Sequence, residues 1–503
     1  MHVIIQAGGR GSRLRHHTWN KPKCLVSVHG KPVIYHLFDR LPGAAFTVIG
    51  DYLFEVLEGY LAYNKPPVPT GLVRAGGKGT AAGLAEALAG IVADEPVLII
   101  WSDLFLTKPF EAPIGGVKPV VCLTDDFICR WSLQPEGLRE VSSQTGGVPG
   151  LFYLPRRDCL PTPPAEGEFV RWFSDVVLDF DTVAQPGLEE VGDFVTIEDL
   201  NNRDGFTRFF NRVEIGETEV VKSAVEPEFE PLIAREIAWY KSARELGFRR
   251  APALLGEHPF RLQRIKGQHA YQMTDLTPRE RRAVVADGLE ALAGLHALGE
   301  APADPDAVRE VYLEKTFSRV ESVRSVIPSM DLASFTINGL KCRNPFSEKH
   351  QGLIEQICGE LEPAAFHPIH GDPTFSNTLV DRNLRSWFID PRGYFAKPGV
   401  YGDPRYDFAK VYYSVVGHYD AFNRRKFKLH VDTDCVEILM EVSPFAESGL
   451  EVFRDIFGQD LKPIERLHGL IWLSLSGYVR DDIDSIIAAW FYGLYWLEMA
   501  EQT

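Results

Sequence analysis

A glycine-rich loop follows the first apolar segment of the chain. Residues 6–14 read QAGGRGSRL, and KPKCLV follows at residues 21–26. Glycines let a backbone approach phosphate closely, and successive backbone N–H groups form an anion-binding concavity. Arg13 and Lys23 would add positive charge beside a bound triphosphate, so both are candidate catalytic residues. The candidate nucleotide-binding residues of this loop are Gly8, Gly9, Gly11 and Ser12. The loop has neither the P-loop spacing nor that of G-x-G-x-x-G, so by itself it is a weak signal.

A second set of chemically competent residues lies in the last third of the chain. HGDPTFSN occupies residues 370–377, and FIDPRG occupies residues 388–393. An Asp followed five residues later by an Asn, and then by a second Asp after an apolar strand, is the set that a kinase requires. Asp372 would accept a proton from a substrate hydroxyl or orient it, while Asn377 and Asp390 would hold Mg²⁺ against the phosphates of ATP. His370 is interpreted as a structural residue that orients this loop.

Length, charge and composition set limits on what these sites can serve. A chain of 503 residues exceeds the usual size of one hydrophobic core, so two or three domains are expected. The net charge of −16 argues against a nucleic-acid partner, since phosphate backbones need a basic surface. The seven cysteines form no C-x-x-C pair, which favours a reducing cytoplasm. MHVIIQAGGRG does not resemble a signal peptide, and the last apolar run is short for a bilayer, so a soluble protein without a membrane partner is expected.

The predicted pattern of helices and strands that position these residues changes near residue 201. Before it, strand-like segments alternate with helical ones such as AAGLAEALAGIV, which predicts an α/β fold with a mostly parallel, mixed sheet of Rossmann type. The polar run Asn201–Gly205 is predicted to end the first domain, giving domains over 1–203 and 204–503. After two strand-like runs and a helix over about 230–246, the pattern is mainly helical beyond 276. The second domain should therefore have a small lobe over 204–275 and a large lobe over 276–503.

The first domain resembles the nucleotidyltransferases that make NDP-sugars and CDP-alcohols, through G-G-x-G-x-R-L followed by K-P-K-x-L-V. The resemblance implies that Gly79 and Thr80 contact the nucleotide base and that Asp103, after a buried strand, is a magnesium ligand. GDFVTIEDL, at residues 192–200, is similar to the closing motif of that family, which makes Asp193 the second metal ligand. Mg²⁺ held by these two carboxylates, together with Arg13 and Lys23, would offset the electrostatic repulsion between a phosphomonoester and a nucleoside triphosphate.

The second domain resembles the aminoglycoside phosphotransferase and choline kinase family, which implies a two-lobed, protein-kinase-like fold. YGDPRYDFAK, at residues 401–410, matches its G-D-x-x-x-D-x-A segment, so Asp407 should brace the catalytic loop. Lys222 is predicted to reach the α- and β-phosphates of ATP and to pair with Glu236 on the next helix. RLQRIKG, at residues 261–267, resembles the hinge segment that binds adenine through backbone hydrogen bonds. The resemblance implies that Gln263 and Ile265 bind the nucleotide. The glycine-rich loop of protein kinases is absent, and Gly216 is a poor substitute.

The fusion of two such domains suggests consecutive reactions. ATP would phosphorylate a small alcohol, amine-alcohol or sugar, and an NTP would then convert the phosphomonoester to NDP–R and pyrophosphate. The arrangement resembles fused phosphocholine cytidylyltransferase–choline kinases that supply surface-polysaccharide precursors, and CTP is preferred on that resemblance. Two alternatives stay open: a sugar kinase joined to an NDP-sugar pyrophosphorylase that uses UTP or GTP, and a chain in which one half is a regulatory binding module.

Choline as the substrate would require an aromatic cage, which the aromatic-rich C-terminal helices could provide. Packing of these side chains in a helical core is the favoured interpretation. The residues concerned are Trp472, Tyr478, Trp490, Tyr492, Tyr495 and Trp496.

Overall fold

The computed structural model describes residues 1–111, 116–193, 196–197 and 211–502. The chain forms two compact units. The first comprises Met1–Asp204 together with Arg480–Asp484, and the second comprises Gly205–Val479 with Ser485–Thr503. The inclusion of Arg480–Asp484 in the first unit has no counterpart in the sequence pattern. The predicted domain boundary, Asn201–Gly205, lies outside the described residues.

A seven-stranded mixed sheet forms the centre of the first unit, as expected for an α/β fold. Its four parallel pairings include those of the central strand His2–Gln6 with both of its neighbours. One strand, Leu151–Leu154, runs antiparallel to both of its neighbours. In spatial order the strands are Asp181–Ala184, Val120–Leu123, Leu151–Leu154, Val97–Trp101, His2–Gln6, Ala45–Gly50 and Thr70–Arg74. The parallel central strands bring the residues that follow His2–Gln6 and Val97–Trp101 to the same edge of the sheet.

Helices and short strands complete the first unit. The helices are Val33–Arg40, Phe54–Tyr63, Leu84–Ala89 and Phe169–Val176. The short strands are Ser27–Val28, Lys31–Pro32, Leu104–Leu106, Trp131–Gln134, Gly137–Arg139, Gly147–Val148 and Leu188–Glu190. The helix predicted over AAGLAEALAGIV is shorter than its apolar pattern. It begins after Gly83, which has a φ of 76°, and ends before Gly90, and glycine at both ends favours termination there.

The second unit begins with a small four-stranded antiparallel sheet. In spatial order its strands are Asn211–Ile215, Glu219–Ala224, Phe260–Gln263 and Leu254–Glu257. One helix accompanies this sheet and spans Glu230–Leu246, the range that the sequence indicates. It ends at Gly247, whose φ of 103° places it in the left-handed region that glycine adopts most easily at a helix end.

The remainder of the second unit is mainly helical. Its helices are Pro278–His296, Pro305–Arg309, Lys315–Ser322, Leu353–Gly359, Pro404–Val415, Tyr419–Asn423, Ala446–Phe457, Leu461–Ser476 and Ile483–Gln502, the last of which begins with two residues assigned to the first unit. A π-helical turn, Glu310–Glu314, joins the second and third of these. The strands are Gly267–His269, Ala301–Pro302, Ser334–Ile337, Leu340–Arg343, Ala365–Pro368, Thr378–Asp381, Ser386–Phe388, Tyr394–Phe395, Lys397–Pro398, Tyr401–Gly402, Phe427–Asp432 and Cys435–Met440. None of the helices described has the length and hydropathy needed to cross a bilayer.

The C-terminal aromatic residues mostly pack in the core of the second unit. Trp472 is fully buried, and its ring lies 4.7 Å from that of Tyr413 and 5.0 Å from that of Tyr492. Trp490 is also fully buried and packs on Phe335. Tyr478 differs, because it is 59% exposed and lies beneath the guanidinium of Arg319. The packing agrees with a structural role for most of this set.

Candidate active sites

In the first unit, Lys23 meets Asp103 at the edge of the main sheet. Lys23 Nζ lies 2.5 Å from Asp103 Oδ2, and Lys23 is largely buried. Asp103 comes two residues after the strand Val97–Trp101, and Gly11 lies beside Lys23. Gly11 has a φ of 64°, and a Cβ there would lie 3.1 Å from Lys23 Cβ. Glycine at this position therefore permits both the turn and the approach of the lysine.

Two further carboxylates accompany this pair. Arg13 Nη2 lies 3.5 Å from Glu190 Oε1, although the Arg13 side chain is 70% exposed. Burial raises the pKa of Glu190, and the negative charges of Asp103 and Asp193 raise it further. Asp193 Oδ1 accepts a hydrogen bond of 3.0 Å from the backbone N–H of Thr196. Glu190 was not predicted as a site residue; its position three residues before Asp193 was the available signal. The rest of the predicted closing motif, residues 194–195 and 198–200, lies outside the described residues.

Asp103 retains an oxygen suited to a cation. Asp103 Oδ1 is buried and has no hydrogen-bond partner within the described part of the chain. A carboxylate oxygen in that state is costly unless a ligand satisfies it, and Mg²⁺ prefers such oxygens. Across the described ranges, no cluster of three or more His, Cys, Asp or Glu side chains is arranged to hold a metal. Mg²⁺ takes few protein ligands and binds substrate phosphates as well, so Asp103 and the predicted ligand Asp193 are the residues that would hold it here.

The predicted base-contacting segment is tied to the first strand. Thr80 uses its hydroxyl within the protein, accepting from the Phe169 N–H at 2.8 Å and donating to Glu168 Oε2 at 3.2 Å. Gln6 Nε2 donates to the carbonyl oxygen of Thr80. Gln6 Oε1 is buried and accepts no hydrogen bond from any described residue. The Thr80 hydroxyl thus positions its loop, while Gln6 presents an amide acceptor beside it.

The first lysine of K-P-K has a different environment from the second. Lys21 Nζ lies 2.7 Å from Asp482 Oδ1 and 2.7 Å from Asp484 Oδ2, and its side chain is 3% exposed. Burial lowers the pKa of Lys21, but the two carboxylates outweigh this and the net shift is upward. Lys21 therefore joins the segment Arg480–Asp484 to the first unit.

The second unit contains the predicted catalytic loop, whose backbone N–H groups bond to Asp407. Asp407 is fully buried and accepts hydrogen bonds from the N–H groups of His370 at 2.8 Å and Gly371 at 2.7 Å. His370 Nδ1 accepts from the Asp372 N–H at 3.3 Å, and burial lowers the pKa of His370. Asn377 Nδ2 donates to Asp372 Oδ2 at 3.0 Å. These bonds fix the loop so that Asp372 and Asn377 lie side by side.

Lys222, on the strand Glu219–Ala224 of the small lobe, contacts Asp390, one of the two predicted Mg²⁺ ligands of the kinase site. Lys222 Nζ lies 2.6 Å from Glu236 Oε1 and also contacts Asp390 Oδ1. Burial lowers the pKa of Lys222, but the two carboxylates outweigh it and raise the pKa overall. Asp390 has a φ of 57°, an uncommon conformation for a residue other than glycine. Asn377 and Asp390 offer the oxygen donors that Mg²⁺ requires.

A cleft of about 680 Å³ adjoins the small-lobe sheet. Its lining includes Thr218 in the strand turn and Ile265 in the predicted hinge. Gln263 uses its backbone N–H within the small lobe, donating to the Ala253 carbonyl at 2.8 Å. Ile265 is therefore better placed than Gln263 to offer backbone groups to an adenine ring.

Two cations beside Asp372 were not predicted. Lys410 Nζ lies 3.0 Å from Asp372 Oδ1. Arg392 donates to the hydroxyls of Tyr406 at 2.9 Å and Tyr394 at 2.8 Å. The available signal was their position inside the two motifs, since Arg392 follows Asp390-Pro391 and Lys410 ends YDFAK.

Two protein-family models match the chain, one over each of the two candidate active sites. Residues 3–110 match the family model of the MobA-like NTP transferase domain. Residues 205–429 match that of the phosphotransferase enzyme family. The chain therefore combines a nucleotidyltransferase domain with a phosphotransferase domain, and both domains are of transferase type.

Curated relatives match the first domain. N-acetylmuramate α-1-phosphate uridylyltransferase from Neisseria meningitidis serogroup B is 35% identical over 123 residues, 22% of this chain and 51% of the relative. CTP:phosphoglutamine cytidylyltransferase from Campylobacter jejuni is 41% identical over 64 residues, 12% of this chain and 25% of the relative. The chain spans about half or less of the length of these relatives.

Solved structures also resemble part of the chain. HddC from Yersinia pseudotuberculosis is 18% identical with a TM-score of 0.34, covering 40% of this chain and 99% of HddC. CTP:phosphocholine cytidylyltransferase from Streptococcus pneumoniae is 18% identical with a TM-score of 0.30, covering 40% of this chain and 98% of that one.

Proposed function

We propose that this chain is a bifunctional enzyme that phosphorylates a small hydroxyl-bearing metabolite with ATP and then transfers a nucleotidyl group to the resulting phosphomonoester. The products are NDP–R and pyrophosphate, with CTP as the preferred nucleotide and surface-polysaccharide synthesis as the destination. One observation carries the proposal. Each unit holds a buried lysine in contact with a predicted metal-binding carboxylate, Lys23 with Asp103 and Lys222 with Asp390.

In the kinase unit, the acceptor hydroxyl attacks the γ-phosphorus of ATP, and ADP leaves with the electrons of the broken P–O bond. Asp372 takes the hydroxyl proton or orients the hydroxyl, while Lys222 offsets the charge of the phosphates. Asp407 and His370 keep the loop rigid, so that little reorganisation is needed at the moment of transfer. Mg²⁺ at Asn377 and Asp390 would supply further neutralisation of phosphate charge.

In the nucleotidyltransferase unit, a phosphomonoester oxygen attacks the α-phosphorus of the NTP, and pyrophosphate leaves. Both reactants are anionic, so the site must lower their mutual repulsion. Lys23 and Arg13 supply positive charge, and the loop around Gly11 offers backbone N–H groups. Mg²⁺ at Asp103 and Asp193 would act in the same direction.

The relatives support a phosphomonoester as the second substrate. By their names, one acts on N-acetylmuramate α-1-phosphate and another on phosphoglutamine. The uridylyltransferase among them also favours a second candidate, a sugar kinase joined to a UTP-dependent pyrophosphorylase. In that case the intermediate is a sugar 1-phosphate and the product is a UDP-sugar.

Mass spectrometry of products from the full chain tests the proposal. The purified protein is incubated with Mg²⁺, ATP, the four NTPs and a pool of small alcohols, amine-alcohols and sugars. The expected result is a phosphomonoester whose amount passes through a maximum while an NDP–R of matching mass accumulates. A phosphomonoester that never becomes NDP–R, or an NDP–R formed only from added phosphomonoesters, would show that one half acts as a binding module.

A further inference from the structure

Four basic side chains gather around Tyr406 in the second unit, and one of them, Lys410, contacts Asp372. Lys315 and Arg319 lie on the helix Lys315–Ser322, which follows a π-helical turn. Arg392 and Lys410 come from the two motif segments described above. We call these four residues the cation cluster. Irregular helical turns of this kind are frequent at functional sites.

The ring of Tyr406 lies at the centre of the cation cluster. Its centroid is 6.0 Å from Lys315 Nζ, 5.8 Å from Arg392 Cζ and 5.9 Å from Lys410 Nζ. Arg319 lies at one side, 5.2 Å above the Tyr478 ring, and donates to Ser474 Oγ at 3.0 Å. The aromatic rings hold the positive groups in place without neutralising them.

The cation cluster carries more positive charge than its surroundings offset. Lys410 forms an ion pair with Asp372. Within the described ranges, Lys315, Arg319 and Arg392 have no carboxylate within ion-pair distance, and Asp372 acts on Arg392, as Glu310 acts on Lys315, only from farther away. Arg392 instead donates to two tyrosine hydroxyls. The cation cluster around Tyr406, which includes the Asp372 partner Lys410, therefore contains more basic side chains than paired carboxylates.

Burial and mutual repulsion disfavour the charged forms of Lys315 and Arg319 in the folded protein. Burial lowers the pKa of Lys315 well below its usual range, and repulsion from Arg392, Arg319 and Lys410 lowers it further. Burial also lowers the pKa of Arg319. Residues that disfavour folding in this way are typical of binding sites, where a ligand supplies the missing charge.

The position of the cation cluster identifies which ligand that is. Lys222 contacts both Glu236 and Asp390 on the side expected to receive ATP. Lys410 instead contacts Asp372, the residue that must meet the acceptor hydroxyl. An acceptor with its hydroxyl at Asp372 would place its remaining groups beside Lys410 and the other three cations.

On this basis, and building on the proposed kinase function, we propose that the acceptor carries a carboxylate in addition to its hydroxyl and that the cation cluster binds this carboxylate. The reaction is unchanged in its balance: the hydroxyl oxygen bonds to the γ-phosphorus, ADP leaves, and the proton passes to Asp372. Choline fits poorly, because its quaternary ammonium would meet like charge.

Acceptor pairs in which only one member carries a carboxylate test this inference on the full chain with Mg²⁺ and ATP. Suitable pairs are serine with ethanolamine, glucuronate with glucose, and N-acetylmuramate with N-acetylglucosamine, with ADP release and product mass as readouts. We expect phosphorylation of an acidic member with a kcat/KM at least about ten-fold above its neutral or amine partner. Phosphorylation of only neutral or amine members would overturn the inference and leave the proposed kinase standing. If no member is phosphorylated, the proposed function fails as well.

Variants of Lys315 separate acceptor binding from ATP binding. Lys315→Met should raise KM for the acidic acceptor by at least about ten-fold, leave KM for ATP unchanged and raise the Tm. Lys315→Arg should retain most of the affinity, since it keeps the charge. Arg309→Met is the matched control, because Arg309 is an exposed cation on the preceding helix that pairs with Glu314. A rise in KM for ATP, or an unchanged KM for the acceptor, would overturn the assignment.

Discussion

Lys23 Nζ lies 2.5 Å from Asp103 Oδ2, although 80 residues separate them in the chain. The pair brings the cation expected to neutralise a nucleotide phosphate against a carboxylate expected to hold Mg²⁺. Each group offsets part of the charge of the other, which lets both be largely buried at this edge of the sheet.

Lys23→Ala should lower nucleotidyl transfer about 10²–10³-fold, because a preorganised positive group is lost from the charged transition state. ATP-dependent phosphorylation of the acceptor should persist. Pyrophosphate release and ADP formation, measured on the same preparation, separate the two activities. Lys31→Ala is the control, since Lys31 is a partly exposed lysine that pairs with Asp39. Loss of both activities in Lys23→Ala would contradict two independent sites.

Asp372→Asn should have the opposite effect. Phosphoryl transfer should fall about 10²–10⁴-fold, because an amide cannot accept the hydroxyl proton, while pyrophosphate release from added phosphomonoester should be retained. Asp331→Asn, which changes a carboxylate that is 95% exposed, should leave both rates unchanged. Full kinase activity in Asp372→Asn would remove Asp372 from the mechanism.

Gln6→Leu should reduce discrimination between CTP and UTP. Gln6 Oε1 is a buried acceptor beside the Thr80 carbonyl, and cytosine offers an amino group where uracil offers an oxygen. Loss of one such hydrogen bond changes selectivity by about ten-fold. The measurement is the ratio of kcat/KM for CTP and UTP with one phosphomonoester. An unchanged ratio would place base recognition elsewhere.

The free energy of unfolding of the second unit should depend on pH through the ionisation of Asp420. Burial raises the pKa of Asp420 to about 6, above the value of roughly 3.9 expected in the unfolded chain. The folded state therefore binds more protons between these values, and the contribution of Asp420 to stability falls as the pH rises from about 4 to 6. Asp420→Asn should gain on the order of 2 kcal/mol over the parent protein at pH 8 and little at pH 4. Urea unfolding at both pH values checks this, with the exposed Asp434→Asn as control.

Lys21→Ala should destabilise the first unit by about 3–5 kcal/mol, because it leaves the buried carboxylates of Asp482 and Asp484 without a counter-charge. Changing both aspartates to asparagine in the same protein should restore part of the loss. Hydrogen exchange in the main sheet reports on this unit specifically. Lys118→Ala, at an exposed ion pair with Asp179, should have little effect.

Much of the fold was accessible from the sequence because the relevant signals are local. Strand and helix periodicity indicated the α/β character of the first domain, and Gly247 marks the end of the predicted helix Glu230–Leu246. The contact between Lys222 and Glu236 was predicted from motif order, since each residue occupies a segment with a defined place in the family that the second domain resembles. The contact of Lys222 with Asp390 was not predicted.

The cation cluster could not be read in the same way. Lys315, Arg392 and Lys410 lie in three separate segments, and only packing around Tyr406 brings them together. Lys21 is a sharper case, because its partner Asp482 lies 461 residues away and no pattern near either residue indicates the pairing. The role of the Thr80 hydroxyl could not be predicted either, because it depends on hydrogen bonds with Glu168 and Phe169, which lie far from Thr80 in the sequence.

The bond between Lys21 and Asp482 has a practical consequence for dissecting the protein. A gene fragment that stops near codon 203 would encode the lysine without its aspartates, and the complementary fragment would carry both aspartates away. Separately expressed halves should then aggregate or lose the first activity for reasons unrelated to catalysis. Point variants of the intact polypeptide, or a covalent graft of residues 480–484 onto the shorter fragment, would avoid that artefact.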